Sequence, residues 1–335
     1  MLRTIQPFPR LLLMSVLLVV AHTAMAKSEP YEESGKKHSW FSFNRPAKDN
    51  PKDQLAHARE LARQEQLRKA GRAFRALVMT WPSSREAAAA QWAYAKILEK
   101  RGKTRQAFDA YQLLMENYPG QFPDYDAVLR RQFEIAQQVM TTRKAKFLFM
   151  PGFEAPERAI PLFEKVIQNG PRSVHAPEAQ FLIGQAYEQS FQYELAVVAY
   201  IATLHRYPLS PFAELAAFGR ARALHAITKD YPNDAQALDE AWAGVMVFLR
   251  AYPDSDLAAE ARTMRDELLD RKADKLYSVA DYYDRIARRP QAARESYEQF
   301  ARLFPNSEQT PGVKRRLQEI TAIKDQPRKQ DEDEE

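Results

Sequence analysis

A register returns six times along the chain. Prolines stand at Pro82, Pro119, Pro171, Pro208, Pro253 and Pro305, and twelve residues before each is an alanine: Ala70, Ala107, Ala159, Ala196, Ala241 and Ala293. Eight residues before each proline stand Phe74, Tyr111, Phe163, Tyr200, Val245 and Tyr297. Alanine is common, so one coincidence carries little. Six in register, followed four residues on by an aromatic in five cases, describe an array of similar helices, because a spacing of four puts both residues on one helical face. Each proline ends its helix, since it cannot continue an interior. Most of these ends read Trp, Tyr or Phe before the proline and a small or polar residue after it, as in Tyr207-Pro208-Leu209-Ser210, Tyr252-Pro253-Asp254-Ser255 and Phe304-Pro305-Asn306-Ser307. Such a serine is expected to accept the first free amides of the next helix as an N-cap.

The stretch from Pro177 to Pro208 shows the unit most fully. Ile183-Gly184, Tyr187, Ala196, Tyr200 and Pro208 resemble, in order and spacing, the tetratricopeptide repeat, a 34-residue helix–turn–helix. Gly184 and Ala196 have almost no side chain, so two antiparallel helices can approach there, and Tyr187 and Tyr200 fill the space beside that contact. The expected fold is all-α: a tetratricopeptide-repeat superhelix of about six helix pairs with a C-terminal capping helix. Such an array grows by neighbour contacts, so 335 residues need no second core.

Composition excludes several alternatives. The ten glycines and the scarcity of alternating apolar residues argue against a sheet. The absence of cysteine excludes disulfides, thiolate metal sites and a cysteine nucleophile within these residues. The formal net charge is +5, falling to +3 without Arg3 and Arg10, and such a mixed surface does not imply nucleic acid.

Taken in order, residues 1–26 read as a secretory signal: Arg3 and Arg10, an apolar run from Leu11 to Ala21, then Ala24-Met25-Ala26 as a small-residue cleavage pattern. The run is short of the roughly 20 residues that span a bilayer, so cleavage and export to a periplasm are expected. Residues 27–52 are polar and read as a disordered linker, in which Trp40, Phe41 and Phe43 either pack on the first repeat or meet a partner. Residues 53–155 are expected to hold N-terminal repeat-like helix pairs, and 156–322 a second repeat domain. Within the first, the interval from Pro119 to Pro171 is too long for one repeat, and the excess forms an insertion loop at 142–155. That loop is basic and then apolar, with Phe147 and Phe149, which either fold back on the helices or bind. A long turn is expected around Lys229–Asp234, and an unbroken helix from about Ser255 to Arg288. Residues 323–335 end in five acidic residues and are expected to be disordered.

Catalytic constellations are missing from the sequence. None of the six histidines stands in an HExxH arrangement, and there is no glycine-rich phosphate loop. The reading is a binding protein, not an enzyme, with no cofactor and no small-molecule substrate. In a repeat array the ligand meets a surface lined by first helices. The densest group of aromatic and arginine residues on such a helix is Tyr277, Tyr282, Tyr283, Arg285, Arg288 and Arg289, of which Tyr277 and one of the adjacent tyrosines are expected to face the core.

Tyr252-Pro-Asp-Ser255, Leu276-Tyr-Ser-Val-Ala-Asp-Tyr-Tyr283 and Phe304-Pro-Asn-Ser307 together resemble the BamD (YfiO) family over roughly Pro156 to Ile320. The resemblance implies a periplasmic repeat scaffold of the outer-membrane β-barrel assembly machinery. Its C-terminal repeats would dock a barrel-assembly component, and unfolded outer-membrane proteins would be received on the N-terminal repeats. It also implies a partner contact by an arginine on the final second helix, where this chain carries Arg294. The chain departs from the family in having extra N-terminal pairs and no lipidated cysteine, so attachment to the inner face of the outer membrane would come through partners. The Tyr-Pro-x-Ser helix ends also resemble CpoB proteins, which implies an alternative role as an adaptor of envelope or peptidoglycan machinery.

Overall fold

The computed structural model describes residues 45–142 and 155–324. The leader, the linker aromatics Trp40, Phe41 and Phe43, the insertion residues Phe147 and Phe149, and the acidic tail lie outside the described residues. The chain divides into two units, residues 1–45 and 46–335, and all but Arg45 of the first lies outside the description.

The second unit is a run of helix hairpins. The pairs are α1 (Pro51–Arg63) with α2 (Leu67–Thr80), α3 (Arg85–Lys100) with α4 (Thr104–Asn117), and α5 (Tyr125–Thr141) with α6 (Ile160–Asn169). They continue as α7 (Ala176–Gln189) with α8 (Tyr193–Arg206), α9 (Phe212–Asp230) with α10 (Ala235–Ala251), and α11 (Ala258–Asp281) with α12 (Pro290–Leu303). α13 (Thr310–Lys324) follows, so the described residues hold six pairs and one closing helix. They contain no strand, and no helix among them is long and apolar enough to cross a membrane.

The six-fold register is the core. All six alanines are fully buried, and Phe74, Tyr111, Phe163, Tyr200, Val245 and Tyr297 are buried with them. Tyr200 lies between two glycines: a Cβ at Gly184 on α7 would come within 2.5 Å of its ring, and one at Gly219 on α9 within 2.6 Å. Gly184 therefore does more than let two backbones approach; with Gly219 it forms the slot that holds the ring. The buried side chains fall into four clusters along the chain. α11 serves two of them, giving Ala261, Met264 and Leu268 to one and Ala273 and Ala280 to the next.

Two kinds of turn alternate. Within pairs, α1, α3 and α7 end on a left-handed residue, Glu65, Gly102 and Phe191, with φ of 56°, 67° and 58°. The following amide bonds back to the sixth residue before it, counting inclusively, as in Gln66 to Leu61, Lys103 to Leu98 and Gln192 to Tyr187. Between pairs, the turns close through the serine backbone. The amides of Ser84, Ser173, Ser210, Ser255 and Ser307 bond three residues back, and their carbonyls accept from Ala87, Ala176, Ala213, Ala258 and Thr310.

Three expectations are corrected here. The serine hydroxyls are not the general caps: those of Ser255 and Ser307 accept an amide two residues on, whereas those of Ser84, Ser173 and Ser210 are buried without a hydrogen bond. The excess near Lys229 lengthens α9 rather than the turn, which is only residues 231–234. The long helix after Ser255 stops being α-helical at Asp281 and widens into a π-helical turn, Tyr282–Ile286, closed by the Ala287 amide on the Tyr282 carbonyl at 2.9 Å.

Candidate functional site

The residues singled out near the C-terminus sit at this π turn and the short connection into α12. Tyr277, half-buried, packs on Tyr297 and Phe300 of α12, with ring centroids 6.2 and 6.0 Å away. Tyr283 is half-buried against the same core, while its neighbour Tyr282 is about half exposed, edge-on to it at 5.7 Å. One of the adjacent tyrosines therefore faces inward and one outward, as the helical period requires. Arg285 is exposed and held by Asp281 at 2.7 Å. Arg288 and Arg289 are exposed on the connection, Arg288 with a left-handed φ of 49°. Arg294 lies half-buried one turn into α12 and bonds Glu298 at 2.7 Å. The surface group is thus Tyr282, Arg285, Arg288 and Arg289; Tyr277 and Tyr283 belong to the packing beneath it.

Beside this group lies a polar cluster that sequence reading did not anticipate. Asp284, on the π turn, has a side chain only 7% exposed and takes a bidentate pair from Arg316 of α13 at 2.7 and 2.8 Å. The hydroxyl of Tyr297 reaches the same carboxylate at 3.4 Å. Hydrogen bonding from Arg316 holds the Asp284 carboxyl below the usual carboxylate range. Burial, then the Asp284 charge, push the Tyr297 hydroxyl up to about 12. These residues, with Tyr277 and Arg285, line a cleft of about 460 Å³.

The cluster recurs. At the α7–α8–α9 junction Glu188 accepts from the Tyr200 hydroxyl at 2.6 Å and from Arg222 at 2.6 and 3.0 Å. At the α3–α4–α5 junction Glu99 pairs with Arg131, and the Tyr111 hydroxyl is buried beside them. In each case a first helix or the turn that ends it gives the carboxylate, its second helix the tyrosine and the helix after the pair the arginine. Every second pair carries the arrangement, because the intervening pairs have Phe74, Phe163 and Val245 in place of tyrosine. The acid precedes the tyrosine by twelve residues twice and by thirteen at Asp284. The extra residue falls where the helix widens to the π turn, which brings Asp284 back into line with Tyr297 and Arg316.

The charged groups are already paired with one another, so the clusters hold repeats together and offer no free nucleophile or base. Among the described residues no group of His, Asp and Glu could hold a metal ion.

Compared with known proteins, residues 154–311 match the YfiO family, described as outer membrane lipoprotein, over just under half of the chain. Residues 55–122 match a tetratricopeptide-repeat family. No curated protein matches the sequence. Among solved structures, the C-terminal part of a repeat protein from Cytophaga hutchinsonii is 18% identical with a TM-score of 0.34, over 80% of this chain and 88% of that one. YrrB, a repeat protein with an unusual peptide-binding site, is 14% identical with a TM-score of 0.31, over 64% and 92%. PilW, a type IV pilus biogenesis factor, is 16% identical with a TM-score of 0.27, over 80% and 99%. The chain is an all-α tetratricopeptide-repeat protein, and its second half is similar to the YfiO outer membrane lipoproteins.

Proposed function

We propose that the protein is a BamD-like periplasmic scaffold of outer-membrane protein assembly. The observation that carries this reading is the exposed group Tyr282, Arg285, Arg288 and Arg289, placed at the last within-pair turn inside the YfiO-like region. Aromatic and arginine side chains on a supported surface are the types that anchor protein interfaces, and π turns recur at functional positions. The C-terminal pair docks a barrel-assembly component through this group and Arg294. The N-terminal first helices α1, α3 and α5 receive extended segments of unfolded outer-membrane proteins. The chain works by holding proteins and not by catalysis. Its place is the periplasm, at the inner face of the outer membrane.

Capture of partners from native envelopes, by cross-linking and mass spectrometry, tests the proposal. A barrel-assembly component cross-linked to the 277–294 segment is the expected result, and replacing Arg288 and Arg289 by alanine should remove it while leaving the thermal melt unchanged. Recovery of outer-membrane fractions without any barrel-assembly component would sink the reading. Cell-wall synthases as the main partners would transfer it to the CpoB-like role.

A further inference from the structure

Charge is unevenly divided between the two kinds of turn. In an array of antiparallel hairpins all within-pair turns lie on one edge and all between-pair turns on the other. Among the described residues the within-pair turns, with Arg101, Lys103, Arg288 and Arg289 against Glu65 and Asp234, are net positive. The between-pair turns, with Asp124, Asp254, Asp256 and Glu308 against Arg172, are net negative.

The positive edge is most developed at the first two pairs. There the start of α2 and the end of α3 enclose an open groove of about 870 Å³, lined by Arg68, Lys69, Lys100, Arg101 and Lys103, with Glu65 as its one carboxylate. None of these five cations is in an ion pair among the described residues. α2 and α4 both begin at this groove without a side-chain cap, so the positive ends of their dipoles add to the field. Arg72 continues the basic face along α2.

We infer that this groove is an electrostatic docking surface for an anionic phospholipid headgroup layer. A broad set of five cations against one carboxylate, without an apolar pocket, suits a diffuse sheet of phosphates better than one shaped ligand. The contact is made by the first two pairs, away from the surface group at α11–α12. It rests on the envelope reading for the source of lipid only.

The test is co-sedimentation of the chain from Lys27 with vesicles of phosphatidylglycerol and phosphatidylcholine, and with phosphatidylcholine alone. Binding is expected only to the anionic vesicles, and should be lost in about 0.5 M salt. Each lysine or arginine near such a surface is worth about fivefold in affinity, so the triple variant Arg68→Gln, Lys69→Gln, Lys103→Gln should bind about a hundredfold more weakly. All three side chains are exposed, so its circular dichroism melt and its capture of protein partners should not change. Four results would each overturn the inference: equal binding to neutral vesicles, unchanged binding by the variant, competition by millimolar inorganic phosphate alone, or loss of self-association in the variant without any vesicle binding. The third would mark a free-phosphate site and the fourth a site for a second copy. Loss of barrel-assembly partners, by contrast, would bear on the proposed function and leave this result standing.

Discussion

Tyr200 shows how finely single residues set the array. Its ring fills the slot between Gly184 and Gly219, so Gly184→Leu has no room without moving α7 or α8. Overpacking of this kind costs on the order of 1–3 kcal/mol or more, read as a lower midpoint in a circular dichroism melt. Gly184 was legible in the sequence through its place in the repeat pattern; Gly219 was not, because its partner lies on the preceding pair. Phe191 is the reverse case. It holds a left-handed conformation that glycine holds without strain, and is 78% exposed, so little packing compensates. Phe191→Gly should therefore raise stability by about 1 kcal/mol. His225 is buried within 3.0 Å of Glu267, yet burial and then Lys229 lower its pKa, with Arg271 in the same direction and Glu267 opposing. The unfolded chain takes up this proton near 6.5, and the folded chain only at lower pH. Stability is thus fullest above that value and declines as the pH falls toward the folded pKa. His225→Gln should flatten the slope in that window in denaturant titrations at fixed pH.

Elements are tied together by the carboxylate–tyrosine–arginine clusters. The spacing was present in the sequence, since an acid stands twelve or thirteen residues before three of the register aromatics. It was not recognisable among 44 carboxylates until the next helix placed an arginine opposite each one. The buried serine hydroxyls and the longer α9 were missed for a related reason: turn geometry is set by backbone bonds that side-chain type does not fix. Arg316→Ala would leave Asp284 buried without its partner, at a cost on the order of 2 kcal/mol. Hydrogen exchange should then accelerate in α12 and α13 and stay unchanged in α1–α4. In the unaltered chain, the Asp284 contribution is present above the ordinary carboxylate value of 3.8 and is lost as the pH falls from there through the lowered folded value.

At the scale of the molecule, four buried clusters in sequence make stability a sum of local terms. Phe300 is fully buried in the last cluster, and Phe300→Ala should cost about 3–5 kcal/mol there. Calorimetry should then show an early transition separate from that of the first cluster, instead of one lowered peak. The count of six pairs and a closing helix was legible because every unit repeats one proline-terminated register. The surface group was legible only as a list of residue types, since which tyrosine turns outward depends on the π turn. α11 adds a mechanical consequence. Since one helix of 24 residues supplies side chains to two successive clusters, a load applied at the C-terminal end of α11 passes from one cluster to the next along hydrogen-bonded backbone rather than across a sliding side-chain boundary. The C-terminal end should therefore behave as a stiff lever, and a partner pulling there would strain the α9–α10 packing before it bent the helix it holds.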